Sequence, residues 1–386
     1  MTRGVSVLFY LSIAALTCGM AYSVHPCQAG EPVWDCGRRT RRSFQNRLLA
    51  AGIFCILFWV SALRFDIGND YGQYTQTAHE AYVGGYVVTE WGFNQLVRLL
   101  YWIVGGECYE LVFAVFAFAT LAIFLKAFAR QSVSFGQTFF LFMTLGLYFQ
   151  TFNTVRYYFA LSVALFSMKY VLEKDYLKFV FWIVLAALFH KSVLLVLPVY
   201  WIAAFSWKRW QIAAGLAVSA ACFLGKGLVL KLALVLYPSY RNTIYLEETG
   251  GSPISILRTL AVLVLYVWFI RTQQGRLSRE ELRAQEWYPE LRFYAQLNLL
   301  ALVTGTFFYF LPVVTRISYY FGVSQLFMVP LIVQNIKEEK VRRKTVAIIF
   351  AACVLYFVVF LLQAHEDGVR ILPYRSWLFE TERYTY

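Results

Sequence analysis

The chain has 386 residues, of which 60% are hydrophobic, 19% are aromatic and only 15% are charged, so it is too apolar for an ordinary soluble protein. Its formal net charge of +13 does not indicate a nucleic-acid partner, because attraction to anionic membrane lipids and the orientation of membrane spans explain it more simply. The composition predicts an all-α polytopic membrane protein, with membrane lipids and not nucleic acid among its partners.

Apolar runs along the chain predict about twelve transmembrane helices, since roughly 20 apolar residues are needed to cross the hydrocarbon core. The predicted spans are 5–24, 48–65, 108–125, 137–151, 155–171, 177–190, 191–207, 210–236, 254–270, 293–312, 316–335 and 345–363. The shorter run 93–104 contains Arg98 and is interpreted as a re-entrant or interfacial helix. Gly225 and Gly227 predict either a kink or an amphipathic outer half in the long span 210–236. We expect residues 1–386 to form a single integral membrane domain, with an outer-face tail at 364–386.

Six short segments hold 22 of the 35 Lys and Arg residues: Arg38 to Arg47, Lys126 to Arg130, Lys169 to Lys178, Lys208 to Arg209, Arg271 to Arg292, and Lys337 to Lys344. Because Lys and Arg concentrate in cytoplasmic loops, these segments are assigned to the inside and the alternate connections to the outer face. A signal peptide cleaved near Ala21-Tyr22-Ser23 is the alternative for the first span. Cleavage would place the first basic segment outside, so a retained helix is favoured.

Motifs for several kinds of chemistry are missing from the sequence. It contains no Walker loop, Rossmann fingerprint, zincin helix or nucleophile elbow, which argues against an ATP-driven pump, and no cofactor is expected. Cys27 and Cys36 share a loop assigned to the reducing cytoplasm, so a disulfide is not expected. A metal site there would need more ligands than His25, the only nearby imidazole, provides.

Polar and aromatic residues follow the second predicted span closely: Arg64, Asp66, Asp70, Tyr71 and Tyr74. Glu90 and Trp91 come shortly afterwards, just before the run 93–104. One interpretation is an interfacial loop in which Arg64 pairs with an aspartate, the tyrosines anchor at the headgroups and Glu90 begins a helix. The other is a site, because ionisable groups at membrane depth are costly and here several share one face.

Three further groups occupy outer-face positions: Asn153 and Arg156 with Tyr157; His190; and Arg316 with Tyr319 and Tyr320. An arginine on the side that the positive-inside rule disfavours needs an anionic partner, either a carboxylate such as Asp66 or a phosphate. A guanidinium matches phosphate oxygens in bidentate geometry, so Arg156 and Arg316 at one mouth would suit a pyrophosphate. His190 is either a hydrogen-bonded structural residue or a member of the site.

These residues, in this order, resemble the EpsG family, which belongs with the Wzy-type polymerases of bacterial exopolysaccharide and O-antigen synthesis. The motifs that carry the resemblance are Arg64-x-Asp66-x-Gly68-x-Asp70-Tyr71 with Tyr74, Glu90-x-Gly92-Phe93, Asn153-x-x-Arg156, His190-Lys191-Ser192, and Arg316 with Tyr319-Tyr320-Phe321. The resemblance runs from about residue 48 to 335, and the final span and tail add nothing to it. Tyr157 is a departure, because the family commonly has glutamine there.

The resemblance implies a glycosyltransferase of the bacterial cytoplasmic (inner) membrane. It would transfer a glycan from undecaprenyl pyrophosphate to a sugar hydroxyl of another lipid-linked repeat unit on the outer face, without a metal, beside a flippase and a chain-length regulator. The candidate bases are Asp70 and His190, ahead of Asp66 and Glu90. The candidate pyrophosphate ligands are Arg156, Arg316 and Arg64, and the candidate sugar-binding residues are Tyr71, Tyr74, Asn153, Tyr157, Tyr319 and Tyr320.

Other functions stay open at this point. A transporter or flippase of lipid-linked sugars would also place arginines and acids near helix ends, although such proteins more often show a pseudo-repeat and midplane charges. A structural subunit of an export complex would need no catalytic group. Among enzymes, another membrane glycosyltransferase or an O-acyltransferase is the alternative, and a glycosyltransferase that uses a divalent ion would make Asp66 and Asp70 metal ligands.

Overall fold

The computed structural model describes residues 1–25, 40–236, 252–311, 314–365 and 369–379. Its helices in chain order are α1 (Arg3–Tyr22), α2 (Arg41–Ala62), α3 (Tyr71–Val83), α4 (Trp91–Val104), α5 (Tyr109–Gln131), α6 (Phe135–Thr144), α7 (Leu147–Gln150), α8 (Val155–Leu172), α9 (Tyr176–Ala187), α10 (Val196–Ala204), α11 (Arg209–Leu224), α12 (Lys226–Leu236), α13 (Pro253–Gln274), α14 (Arg279–Arg283), α15 (Tyr288–Phe307), α16 (Val314–Gly322), α17 (Gln325–Gln334) and α18 (Glu339–Leu362). A 3₁₀ helix, Lys191–Leu195, precedes α10. Cys27, Cys36, Arg38 and Arg39 lie outside the described residues, as does the end of the tail.

Within the described ranges, six helical segments are long and apolar enough to cross a membrane: α1, α2, α5, α13, the stretch Arg316–Gln334, and α18. The pair α11 and α12 adds a seventh if it is counted as one span bent by 87°, and this bend confirms the predicted kink. The chain is therefore a multi-pass membrane protein whose described residues form an all-helical fold. The predicted number of about twelve spans is not confirmed.

Several predicted spans are short or broken helices. The predicted span 137–151 is divided into α6 and α7 by Gly146, whose φ of 73° is left-handed backbone that glycine adopts without strain. The predicted spans 177–190 and 191–207 correspond to Tyr176–Ala187 and Lys191–Ala204, which are apolar but shorter than 18 residues. Because a helix rises 1.5 Å per residue, segments of this length reach about 20 Å, less than the roughly 30 Å of the hydrocarbon core.

The predicted short helix near 93–104 is α4, whose 14 residues make it shorter than a span. Phe93 and Val97 are buried, whereas the side chains of Trp91 and Trp102 on the other face are 66% and 76% exposed. A helix with one packed face and one exposed aromatic face is typical of the membrane interface. The interpretation as an interfacial or re-entrant helix stays a prediction.

The chain divides into two compact units. One consists of Met1–Lys169, Leu177–Leu194 and Lys337–Tyr386, and in it α2 packs on α1 and α5, α6 packs on α1 and α18, and α3 packs on α4. The other consists of Tyr170–Tyr176 and Leu195–Ile336, with α15 packed on α10, α11, α13, α16 and α17. The prediction of a single domain is not tested by this division.

Candidate functional site

Arg156 and Glu90 form an ion pair where two helices begin. Arg156 is the second residue of α8, and Glu90 directly precedes α4. Arg156 Nη1 donates to Glu90 Oε2, and the two side chains are 17% and 15% exposed. The guanidinium also lies over the rings of Tyr74 and Phe93, 5.4 and 5.2 Å from their centroids. The carboxylate partner of Arg156 is therefore Glu90 and not Asp66.

Glu90 also contacts the turn that carries His190. Glu90 Oε1 accepts a hydrogen bond from the backbone N–H of Lys191 at 3.1 Å, and His190 Nδ1 lies 3.8 Å from the same oxygen. His190 is buried, with its ring edge-on to Tyr157 at a centroid distance of 5.5 Å. The structure thus brings together Glu90, Arg156, His190 and Tyr157, four residues from three separate predicted motifs.

Gly92 determines how closely α4 approaches this turn. Its backbone N–H donates to the carbonyl oxygen of Leu188 at 2.9 Å. A Cβ atom at position 92 would lie 2.6 Å from that oxygen, which is closer than side-chain atoms come to a carbonyl. Glycine is the residue that permits this contact, and the contact places Glu90 within reach of Lys191.

Asp70 lies beside the same arginine. It directly precedes α3 and accepts a hydrogen bond from Thr154 Oγ1 at 2.9 Å. Tyr74 follows one helical turn later and lies under the guanidinium of Arg156. Burial raises the pKa of Tyr74; the positive charge of Arg156 opposes this shift and the negative charge of Asp70 adds to it. Asp70 and Arg156 therefore border one region, between the start of α3 and the start of α8.

The loop before Asp70 packs directly against the chain before Arg156. The backbone N–H of Asn69 donates to Asn153 Oδ1, so this amide holds the loop. Gly68 has a φ of 100°, and a Cβ atom there would lie 2.4 Å from the carbonyl oxygen of Phe152. Both the backbone conformation and the close approach require glycine at this position.

Asp66 points to the C-terminal tail and not to Arg156. Its Oδ2 accepts a hydrogen bond from Arg370 Nη2 at 2.7 Å and lies 3.7 Å from Arg375 Nη1. Within the described part of the chain, the suggested ion pair between Arg64 and an aspartate is not found, because Arg64 donates to backbone carbonyls and Asp66 pairs with Arg370. Asp66 and Asp70 thus have different neighbours, although they are only four residues apart.

Arg64 and Tyr71 are fully buried below the loop. Arg64 Nη2 donates to the carbonyl oxygen of Phe152 at 3.4 Å, and its guanidinium lies over the rings of Phe113 and Phe152 at 4.8 and 5.3 Å. Tyr71 stacks on Phe113 with a centroid distance of 4.5 Å. In this conformation both side chains belong to the core that supports the loop.

Arg316, Tyr319 and Tyr320 lie on α16, in the second compact unit. Tyr320 is fully buried, and its carbonyl oxygen accepts a hydrogen bond from Tyr200 Oη at 2.6 Å. Tyr319 lines a small cavity of about 40 Å³ together with Arg258 of α13. The predicted approach of Arg316 to Arg156 stays a prediction.

Some residues around the site were not predicted from the sequence. Thr154 lies inside the motif that includes Asn153 and Arg156, so its place in the sequence could have identified it as a residue of the site. Arg370 and Arg375 were harder to identify from the sequence, where they are two arginines in a tail assigned to the outer face. Among the described residues, no group of three or more His, Cys, Asp or Glu side chains is arranged to hold a metal ion.

Comparison with known proteins adds one finding to this geometry. The family model described as "EpsG family" matches residues 47–376. No curated protein and no solved structure matches the chain. The expectation that the resemblance ends near residue 335 is wrong, because the match includes the last span and the tail arginines that bind Asp66. Since the matched residues make up most of its length, the chain belongs to the EpsG family, a family of Wzy-type polysaccharide polymerases.

Proposed function

We propose that this protein joins lipid-linked glycan repeat units on the outer face of the bacterial cytoplasmic membrane. The donor is a growing glycan on undecaprenyl pyrophosphate, and the acceptor is a sugar hydroxyl of a second lipid-linked unit. Family membership gives the class of reaction. The observation that carries the proposal is that Asp70 accepts a hydrogen bond from Thr154, two residues before Arg156, because this contact brings a carboxylate to the start of the helix that carries the guanidinium.

The reaction needs a base and a stabiliser for the leaving group. The acceptor oxygen attacks the anomeric carbon of the donor, and the bond from that carbon to the pyrophosphate oxygen breaks, with its electron pair passing to the phosphate. The acceptor proton passes to a carboxylate during this step. The negative charge that develops on the pyrophosphate is stabilised by cationic N–H donors.

Asp70 is the best-placed base among the three carboxylates. Glu90 is held by Arg156 and by a backbone N–H, and Asp66 is held by Arg370. These contacts occupy both carboxylates, so neither is placed to accept the proton of an acceptor hydroxyl. Asp70 is half-buried, and the donor to its carboxylate among the described residues is the neutral hydroxyl of Thr154. His190 is buried with its Nδ1 3.8 Å from Glu90 Oε1, and its proposed role is to help to orient that carboxylate.

Arg156 is suited to bind the pyrophosphate. Glu90 and the rings of Tyr74 and Phe93 fix the plane of its guanidinium. Its buried Nε–H has no hydrogen-bond partner among the described residues. The planar fork of a guanidinium matches phosphate oxygens in bidentate geometry. The role of Arg316 as a pyrophosphate ligand stays a prediction.

The acceptor sugar requires an accessible surface. Tyr71, Tyr74 and Tyr157 are buried, and Asn153 is engaged by the loop before Asp70. Their proposed role is to hold the site in place. Trp91 follows Glu90 and is 66% exposed, so its ring can stack on a pyranose.

The experiment that tests this function uses the purified full-length protein in lipid vesicles with lipid-linked repeat units. A ladder of glycan lengths on a gel is expected, and it should persist in EDTA, because the charge is supplied by arginine. Loss of the ladder on chelation and its return with Mg²⁺ or Mn²⁺ would overturn the metal-independent mechanism. Addition of one sugar or one acyl group without a ladder would indicate another membrane transferase.

A further inference from the structure

The C-terminal tail lies against the loop that leads to Asp70. Residues 369–379, called here the strap, run antiparallel to residues 63–68, and the pair Arg64 and Ser376 forms a β-bridge. Three backbone hydrogen bonds join the two segments: Phe65 N–H to Arg375 O at 3.0 Å, Gly68 N–H to Arg370 O at 2.8 Å, and Trp377 N–H to Leu63 O at 3.2 Å. Main-chain bonds at both ends of a six-residue loop restrict its conformation.

Asp66 joins the loop to the strap by charge. Its carboxylate contacts both Arg370 and Arg375, and its backbone has a φ of 50°. This left-handed conformation is uncommon for residues other than glycine, and Asp and Asn tolerate it best. A side chain held in this way by two arginines is engaged in fixing the backbone around it.

The strap is itself anchored on the neighbouring helices. Tyr10 Oη of α1 donates to the carbonyl oxygen of Ile371 at 2.8 Å, and the backbone N–H of Tyr374 donates to Ser6 Oγ at 2.9 Å. Tyr374 Oη donates to the carbonyl oxygen of Val60, near the end of α2, at 3.1 Å. The strap therefore connects two long helices to the loop.

We infer that the strap is a positioning element of the site. Arg370 and Arg375, acting through Asp66, fix the loop so that Gly68 contacts Phe152 and Asp70 reaches Thr154. Asp66 is then a positioning residue and not an acid or base. The kinetic part of this inference rests on the proposed function, whereas the structural part does not.

A double-mutant cycle tests the inference in the reconstituted full chain. Asp66→Asn keeps the size and the tolerance for positive φ, and Arg370→Gln removes its partner. Each is expected to lower kcat about 10- to 100-fold, because small displacements of reacting groups cost this much. The double variant should be no slower than the slower single variant, since both remove one interaction. The pH profile of kcat should keep its shape.

Amide hydrogen exchange supplies a readout that does not depend on activity. Peptides covering residues 63–71 should exchange faster in all three variants, while peptides from α5 should not change. Arg343→Gln is the matched control, because Arg343 pairs with Glu339 on the exposed part of α18. It should leave both kcat and exchange as in the wild type.

Two results would overturn the inference. Complete loss of turnover in Asp66→Asn beside wild-type turnover in Arg370→Gln would show that Asp66 takes part in the chemistry. Unchanged exchange at residues 63–71 in both single variants would show that the strap does not hold the loop. If the wild-type protein makes no glycan ladder, the proposed function fails, and the exchange data still decide on the strap.

Discussion

At the scale of single residues, Arg156 combines an ion pair with contacts to two aromatic rings. It is paired with Glu90 and stacked between two rings. Lysine keeps the charge but loses the planar, forked geometry. We expect Arg156→Lys to insert normally and to polymerise about 100- to 1000-fold more slowly, the usual cost of losing one donor to developing charge. The rate of ladder formation measures this effect, and Arg343→Lys is the control. A wild-type rate in Arg156→Lys would show that Arg156 only neutralises the charge of Glu90.

In Asp70→Asn the side chain can still accept a hydrogen bond from Thr154, but the carboxylate that would act as the base is removed. Because a base acts mainly in the transition state, kcat should fall strongly while binding of the lipid substrate changes little. Steady-state kinetics with a varied acceptor separates these effects. An unchanged kcat with a raised KM would identify Asp70 as a binding group, and His190→Ala would then be the next variant to examine for loss of the base.

Glu90→Gln has a different expected outcome, because Glu90 is the counter-ion of a largely buried arginine. Removing one partner of such a pair leaves an uncompensated charge and typically costs about 3–5 kcal/mol. We expect a lower thermal unfolding temperature together with loss of activity. Thermal unfolding curves in detergent measure the change in stability. A variant as stable as the wild type would mean that water replaces the carboxylate as the partner of Arg156.

At the scale of secondary-structure elements, the contact between α4 and the turn at Leu188 is set by one glycine. Gly92→Ala places a methyl group against a carbonyl oxygen, and such overpacking costs about 1–3 kcal/mol. We expect α4 to move away, the bond from Glu90 to Lys191 to break, and both stability and turnover to fall. Gly106→Ala is the matched control, because a Cβ there meets nothing within 4 Å. Equal behaviour of the two variants would refute this role of Gly92.

At the scale of the whole molecule, the distribution of basic residues predicts the sidedness of the site. In a background without the native cysteines, Tyr86→Cys in the exposed connection between α3 and α4 should react with an impermeant maleimide in intact cells. Arg279→Cys, in the basic segment Arg271 to Arg292, should react only after the membrane is opened. The reverse pattern of labelling would invert the assigned orientation.

The sequence predicted those features of the whole chain that depend on local pattern. Apolar runs located the long apolar helices but not α3, and the alternation of charge grouped Glu90, Arg156 and His190, which the structure brings together. The break at Gly146 was missed, because a lone glycine in an apolar run carries no local sign of a left-handed residue. Asp66 was grouped with Asp70 by spacing, whereas its partner Arg370 lies 304 residues away, beyond any periodicity.

That separation has a consequence for biosynthesis. The ribosome adds about 5–20 residues per second, so roughly 15 to 60 s pass between synthesis of Asp66 and synthesis of Arg370. During this interval the helices can enter the membrane one after another, while the loop before Asp70 still lacks its last anchor. A nascent or truncated chain that ends before Arg370 would lack this anchor and would be expected to turn over more slowly. In the proposed reaction, polymerisation would then reach its full rate only when translation has passed the strap.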